Sequence, residues 1–345
     1  MILPLLAGFG ALTFLLLLAG LAYQTIGAYR DARRFVAPGR LVSVNGCRLH
    51  LLEQGSGRPA VILEAGIAAS SLSWSRVQPG LAAFTRTASY DRAGLGWSDL
   101  CAAPRTLEQM LAEFDGLLRA AAIPAPYILV GHSFGGLLIR AFAQRWPDRV
   151  AGLVYVDPVS LVTWANCSAP DRQRLAKGAE LSKRGAWLAR VGVVRFALAA
   201  ATAGKARLTR SVARASAGQA TPFLARLVGE IQKLPSEVLP AVRSHWSRPK
   251  SFEAMASHLA ALPSCAEAAV ALAIPPSIPF IVLSAADAKP EELAERDSWV
   301  RENAAGQHRI IERTGHWLHL DRPEAVVATV KELADFHLSA ASKAR

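Results

Sequence analysis

Tyr127-Ile128-Leu129-Val130-Gly131-His132-Ser133-Phe134-Gly135-Gly136-Leu137-Leu138 is the stretch on which the reading turns. Tyr127–Val130 is a short apolar run of the kind that forms a strand buried on both faces. Gly131–Gly135 follows without a spacer and has the form Gly-x-Ser-x-Gly, and Leu137–Arg145 then reads as a helix. That pattern alone recurs by chance. Between a strand and a helix it reads as a nucleophile elbow. Gly131 and Gly135 relieve crowding at a strained turn, so that the Ser133 hydroxyl can project from the carboxyl edge of a sheet. The helix start offers the Phe134 amide and the positive end of a helix dipole to a developing oxyanion. His132 adjoins Ser133 within the elbow and is expected to point away from it.

Working outward, Val150–Val156 is a second buried strand. Ala60–Glu64 is another, ending at Ala65-Gly66. Thr87–Tyr90 leads into a glycine-rich segment that runs to Asp99. Thr106–Ala122 carries Leu107, Met110, Leu111, Phe114, Leu117 and Leu118 at helical spacing. Nearer the N-terminus, Leu41–Val44 and Arg48–Leu52 are joined at Asn45-Gly46, a strong hairpin signal. Strands alternating with helices predict a mostly parallel sheet covered on both faces. The alternation breaks at about Ser160. From Asp171 to about Ala261 the chain is rich in Ala, Arg and Leu and helical in character. It resumes with a strand at Pro279–Ser284, a helix at Glu291–Asn303, a strand at His308–Glu312 and a closing helix at Pro323–Leu338. The division is an apolar anchor at 1–29, a basic linker at 30–40, a core in two parts at 41–160 and 269–345, and a basic helical lid at 161–268.

Apolar residues make up 52% of the 345 and charged ones 19%, which excludes a largely disordered chain. The formal charge of +12 is local. The stretch from Asp171 to Lys250 holds 16 Lys and Arg against four acids, so the remainder is balanced. Nucleic acid is not an expected partner, because no binding motif accompanies the charge. Three readings of the basic lid stay open. Trp187, Val191, Val194 and Leu198 recur at helical spacing among Arg184, Arg190 and Arg195. They describe a lid helix packed on the core with a solvated basic face, a basic face lying on anionic lipid, or a surface for an anionic carrier-linked acyl substrate.

No charged side chain occurs from Met1 to Tyr29, and Ile2–Tyr23 is almost wholly apolar, long enough to cross a bilayer. A cleaved signal peptide, with a small-residue site at Ala19–Ala22, is the rival reading. It lacks the basic residues that should precede the apolar run. A single-pass anchor is expected. Arg30, Arg33, Arg34 and Arg40 follow it and place the domain in the cytoplasm by charge asymmetry. Cys47, Cys101, Cys167 and Cys265 form no Cys-x-x-Cys pair, so no structural zinc is expected. Four free thiols are expected, with a Cys167–Cys265 bridge as the alternative.

A serine hydroxyl needs a general base. His316 follows Gly315 in the loop after the last strand, within reach of the sheet edge, and is chosen over His319, which is expected to cap or pack near Asp321. The orienting acid is Asp287, beyond the strand Pro279–Ser284, which gives the chain order Ser…Asp…His. Asp157, directly after Val150–Val156, is the alternative acid.

With these residues in view, the chain resembles the α/β-hydrolase fold superfamily, of the lidded serine esterase or lipase type. The resemblance rests on Leu63-Glu64-Ala65-Gly66, on Tyr90-Asp91-Arg92-Ala93-Gly94-Leu95-Gly96-Trp97-Ser98-Asp99, on Gly131–Gly135, and on Gly315-His316 with Arg322-Pro323-Glu324. It covers about Leu41 to Leu338, the insertion matching in position only. It implies a mostly parallel central sheet with helices on both faces, a helical lid after the sixth strand, an acyl-enzyme mechanism, no cofactor, and the Ile67 amide as partner of Phe134 in the oxyanion hole. The chain departs from the pattern in having Ala65 where many relatives have a loop-bracing histidine, and in lacking the glycine often found before the acid at Ser284-Ala285-Ala286-Asp287. Relatives that open epoxides or remove halides usually carry Asp at the nucleophile position, and Ser133 argues against those reactions. The expectation is a membrane-anchored serine hydrolase for small-molecule or lipid esters with apolar acyl groups. The alternatives are an amidase, peptidase or thioesterase on the same machinery, or a ligand-binding protein without catalysis.

Overall fold

The computed structural model describes residues 2–202 and 231–343. Met1 of the expected anchor and residues 203–230 of the expected lid lie outside the described residues. Eight strands form one sheet: β1 (Arg40–Val44), β2 (Cys47–Gln54), β3 (Ala60–Glu64), β4 (Thr87–Tyr90), β5 (Tyr127–His132), β6 (Val150–Val156), β7 (Phe280–Ala285) and β8 (Gly306–Ile311). Their order is β1-β2-β4-β3-β5-β6-β7-β8. The β1–β2 hairpin and the β2–β4 pair are antiparallel, and every other neighbouring pair is parallel. Strands β3, β4, β5, β6 and β7 are buried along their whole length. That accounts for their continuous apolar runs, since strands of a two-faced sheet have no solvent side to mark by alternation.

Helices cover both faces. On one lie α3 (Leu107–Ala120) and α4 (Phe134–Arg145), where Phe114 stacks on Tyr90 and packs against Phe142. On the other lie the short α2 (Gln78–Ala82) and the C-terminal helix Pro323–Lys343, whose Val326 and Val330 join Val61, Leu63, Val130 and Val154 in a second cluster. Thr106 starts α3 by accepting a hydrogen bond from the Gln109 amide through its side chain.

After β6 the chain leaves the sheet for the lid: α5 (Leu161–Ala165), α6 (Ala169–Arg190), α7 (Val193–Thr202), then α8 (Leu239–Trp246) and α9 (Pro249–Val270). It returns through β7, α10 (Pro290–Glu302), β8, α11 (Leu318–Asp321) and α12 (Pro323–Lys343). The N-terminal helix α1 runs unbroken from Ile2 to Arg34, so the first five residues of the stretch expected to be a linker, Arg30–Arg34, are helical. Its most apolar 18-residue window has a mean hydropathy of 2.0, and the helix is long and apolar enough to cross a membrane. Its last turns do not stand apart: they pack on α6 and α8 of the lid.

The expectation for the cysteines is corrected. Cys47 and Cys101 are bridged, with Cα atoms 5.8 Å apart across 54 residues, while Cys167 and Cys265 are buried and free. The Asn45-Gly46 turn puts Cys47 at the head of β2. The Asp99 amide then donates to the Arg48 carbonyl at 2.9 Å, and the Arg48 guanidinium grips the Asp99 carboxylate at 2.7 Å. These contacts bring the segment leading to Cys101 beside Cys47.

Candidate active site

Strand β5 ends at His132 and α4 starts at Phe134, leaving Ser133 alone between them at φ 52° and ψ −116°. A non-glycine residue here is strained and is held by its surroundings. The Ser133 amide donates to the Val156 carbonyl of β6 at 3.1 Å, and its carbonyl accepts from Gly136 and Val159. A Cβ on Gly131 would meet the backbone of Gly135, and one on Gly135 would meet the carbonyl oxygens of Glu64 and Ala65, so neither position has room for a side chain.

His316 sits in the loop between β8 and α11. Its Nε2 lies 3.0 Å from Ser133 Oγ and its Nδ1 lies 2.6 Å from Asp157 Oδ2. The hydrogen-bonded chain is therefore Ser133–His316–Asp157. The placement of Asp287 as the orienting acid is corrected: it lies two residues past the end of β7, exposed to solvent. Strand order explains the difference. Strand β6 is the direct neighbour of β5, so the residue after it lies one strand from the nucleophile, whereas β7 is a strand further away. Asp157 also takes a positive φ of 42°, a turn that lets its carboxylate meet both His316 and Arg296.

Three groups hold Asp157. Its Oδ1 accepts from the Ala285 amide at 3.0 Å and from Arg296 Nη1 at 2.9 Å, and its Oδ2 faces His316. Burial works against the charge, but the His316 hydrogen bond and the Arg296 guanidinium outweigh it and hold the carboxyl down to about 2. Arg296, on α10, is 2% exposed and also donates to Ser284 Oγ and the Pro158 carbonyl at 2.7 Å each. Nothing in the sequence singles it out, because its partners come from β7 and the turn after β6.

His132 does not merely point away. Its Nε2 donates to the His316 carbonyl at 2.8 Å, which fixes the loop that carries the base. Burial pushes His132 down to about 3, so the ring stays neutral. His319 packs and does not cap: among the described residues neither ring nitrogen meets a hydrogen-bond partner. It is fully buried, with its ring 4.3 Å from His132 and 4.7 Å from Trp74. The Gly315 amide donates to Asp321 Oδ2 at 3.0 Å, and Lys233 pairs with the same carboxylate, so the other side of the loop is also tied.

Among the described residues, neither the Ile67 nor the Phe134 amide meets an acceptor. A Cβ on Gly66 would lie 3.5 Å from Ser133 Cβ, which places the Gly66-Ile67 turn over the nucleophile. The turn is held by Arg92, which donates to the Ala65 carbonyl at 2.7 Å and to the Gly66 carbonyl, and pairs with the buried Glu64. Tyr90 completes the cluster by donating to Glu64. Arg92 thus braces the turn in a chain that has Ala65 in place of a loop-bracing histidine. It lies in the Tyr90–Asp99 segment on which the resemblance rests, but the sequence does not say which loop it serves. Next to this turn and to Trp317 is a cavity of about 40 Å³ lined by Leu72, Leu234, Val242 and Trp246. Its wall is largely apolar. Among the described residues no cluster of His, Cys, Asp and Glu has the makings of a metal site.

A predominantly parallel eight-stranded sheet, a serine on a strained strand-to-helix turn and helices inserted after β6 define the class: a protein of the α/β-hydrolase fold. The profile of the Alpha/beta hydrolase family matches residues 61–329, and the chain belongs to that family. It is 32% identical over 117 residues to the uncharacterized protein YqjL of Bacillus subtilis (strain 168), covering 34% of this chain and 46% of that one. It is 28% identical over 138 residues to a haloalkane dehalogenase of Sphingobium indicum, covering 39% and 46%. Both matches span less than half the length of the relative. Among solved structures, a thermophilic esterase from Thermogutta terrifontis superposes with a TM-score of 0.57 at 23% identity, over 86% of this chain and 97% of its own. That likeness carries the fold.

Proposed function

We propose that this protein is a membrane-anchored serine hydrolase that cleaves carboxylic esters with apolar acyl groups. The observation that carries the reading is the single line of contacts at the sheet edge, with His316 between Ser133 Oγ at 3.0 Å and Asp157 Oδ2 at 2.6 Å. His316 Nε2 takes the Ser133 proton as Oγ attacks the ester carbonyl carbon, and Asp157 stabilises the imidazolium that results. The carbonyl oxygen becomes an oxyanion held by the Ile67 and Phe134 amides at the positive end of α4. His316 returns the proton to the leaving alkoxide, which departs as the alcohol. Water, deprotonated by the same histidine, attacks the acyl-enzyme, and collapse of the second intermediate releases the carboxylic acid and restores the serine.

The largely apolar wall of the cavity beside Ile67 and Trp317 favours an apolar group there, and at about 40 Å³ the cavity must widen to admit an acyl chain. Halide removal of the kind named for the Sphingobium relative is disfavoured, since Ser133 attacking a haloalkane would form an ether that water cannot hydrolyse, in place of the aspartyl ester usual in such relatives. Helix α1 supports the anchor. The Cys47–Cys101 bridge favours an oxidising compartment for the folded domain, against the cytoplasmic side suggested by the arginines after the span.

The test is intact-mass analysis of detergent-purified protein after fluorophosphonate treatment, beside Ser133→Ala. The reading requires one adduct on the wild type and none on the variant. Absence of any adduct on folded wild type would sink it.

A further inference from the structure

Helix α1 and the lid form one structural unit. Arg195, on α7, has only 12% of its side chain exposed and makes three connections. Its Nη1 pairs with Asp31 at 2.6 Å, its Nε donates to Gln24 Oε1 at 3.0 Å, and its Nη2 donates to Ser247 Oγ at 2.7 Å. Gln24 in turn donates to the Ser247 carbonyl at 3.0 Å and is itself buried. Ser247 follows Trp246, which lines the cavity beside the Gly66-Ile67 turn. Higher on α1, the backbones touch. A Cβ on Gly20 would run into the Val191 carbonyl, and one on Gly192 would lie 2.7 Å from the Gly20 carbonyl oxygen.

This contact sets a level. Ile2–Gly20 is helical and rises about 28 Å at 1.5 Å per residue, close to the thickness of a bilayer's hydrocarbon core. Phe9, Leu12, Phe14, Leu15 and Leu16 along it are all more than half exposed. The Val191-Gly192 elbow between α6 and α7 therefore lies where α1 would leave the hydrocarbon. On either side of the elbow stand two large exposed apolar side chains, Trp187 at 62% and Phe196 at 52%, with Tyr23 of α1 at 43% beside Gly192. A soluble lid helix gains nothing from a bare Trp and Phe. At a membrane interface the same rings sit at the headgroup level.

We propose that the α6–α7 elbow, with Trp187, Phe196 and Tyr23, is a docking surface for the headgroup–acyl boundary of the same bilayer that α1 crosses, and that the site draws membrane-resident lipid esters from it. The proposal rests on the anchored-hydrolase reading above and specifies where its substrate comes from.

The experiment uses full-length protein in vesicles of phosphatidylcholine and phosphatidylglycerol. Brominated lipids should quench wild-type tryptophan fluorescence, and Trp187→Phe should lose that quenched component. The variant carrying both Trp187→Gln and Phe196→Gln should lose about ten-fold in hydrolysis of a long-chain ester held in the vesicles. It should keep its rate on a short soluble ester and its fluorophosphonate adduct. Equal quenching in wild type and Trp187→Phe, or equal loss on both esters, overturns the docking surface. Release of the protein by alkaline carbonate overturns it through the anchor. A wild type that docks without forming an adduct fails the hydrolase reading and the lipid-ester half of the proposal, and leaves the docking surface standing.

Discussion

Asp157 is the residue at which the site's geometry and its electrostatics meet. It is nearly buried, it receives three hydrogen bonds, and its charge is compensated by Arg296. Replacing it by Asn keeps the shape but offers His316 an amide in place of a carboxylate. Asp157→Asn is expected to lower kcat about 10³- to 10⁴-fold, while the exposed Asp287→Asn should stay within about two-fold. Steady-state kinetics on one ester compare the pair directly, and the reverse ranking would restore Asp287. Arg296→Met leaves the Asp157 carboxylate buried beside a lost cation, which should cost about 3 kcal/mol or more in urea unfolding. Full stability in that variant would mean that Ala285 and His316 suffice to hold the charge.

Elements matter here through the loops they hold. The turn after β3 owes its position over Ser133 to Arg92, whose side chain reaches two consecutive carbonyls. Arg92→Met frees that turn and displaces the Ile67 amide. The expected outcome is a fall in kcat of about 10²-fold or more with KM little changed, because an oxyanion donor acts on the transition state and not on the bound ester. A rise in KM at constant kcat would place Arg92 in substrate binding instead. The β1–β2 hairpin makes a separate prediction. Two of the four cysteines, Cys47 and Cys101, should resist alkylation until a reductant is added, and a reporter fused after Lys343 should be active on the extracytoplasmic side. Four reactive thiols in the denatured, unreduced protein would return the domain to the cytoplasm.

On the scale of the whole molecule, the fold buries several histidines that form no ion pair among the described residues. Burial lowers His132 to about 3, His245 to about 4 and His258 to about 3, and takes His319 well below its ordinary value. Each is neutral in the native state and gains a proton on unfolding once the pH drops below about 6.5. Stability is then full above that value and is lost as the pH falls towards the folded values. With all four protonated only when unfolded, the slope approaches about 5 kcal/mol per pH unit. Urea unfolding between pH 5 and 8 reads it, and His258→Phe should flatten the slope by about one proton. A stability flat from pH 8 to 5 would mean that these rings find acceptors in solution.

The elbow was legible because everything that makes it is consecutive: a buried strand, a Gly-x-Ser-x-Gly turn and a helix start, all within Tyr127–Arg145. The alternation of strand and helix, the Asn45-Gly46 hairpin and the apolar N-terminal helix were legible for the same reason, since spacing and turn chemistry are local properties of a chain. What the sequence alone determined about this protein is thus the α/β class, the interrupted sheet and the position of Ser133 on its turn. The tertiary structure alone decided which acid meets His316, because that depends on β6 and not β7 lying against β5. It also decided that Cys47 meets Cys101, that Arg92 braces the Gly66 turn, and that Arg195 binds the lid to α1. Each of these pairs residues far apart in the chain, and such contacts are set by how buried surfaces pack, which no local pattern records.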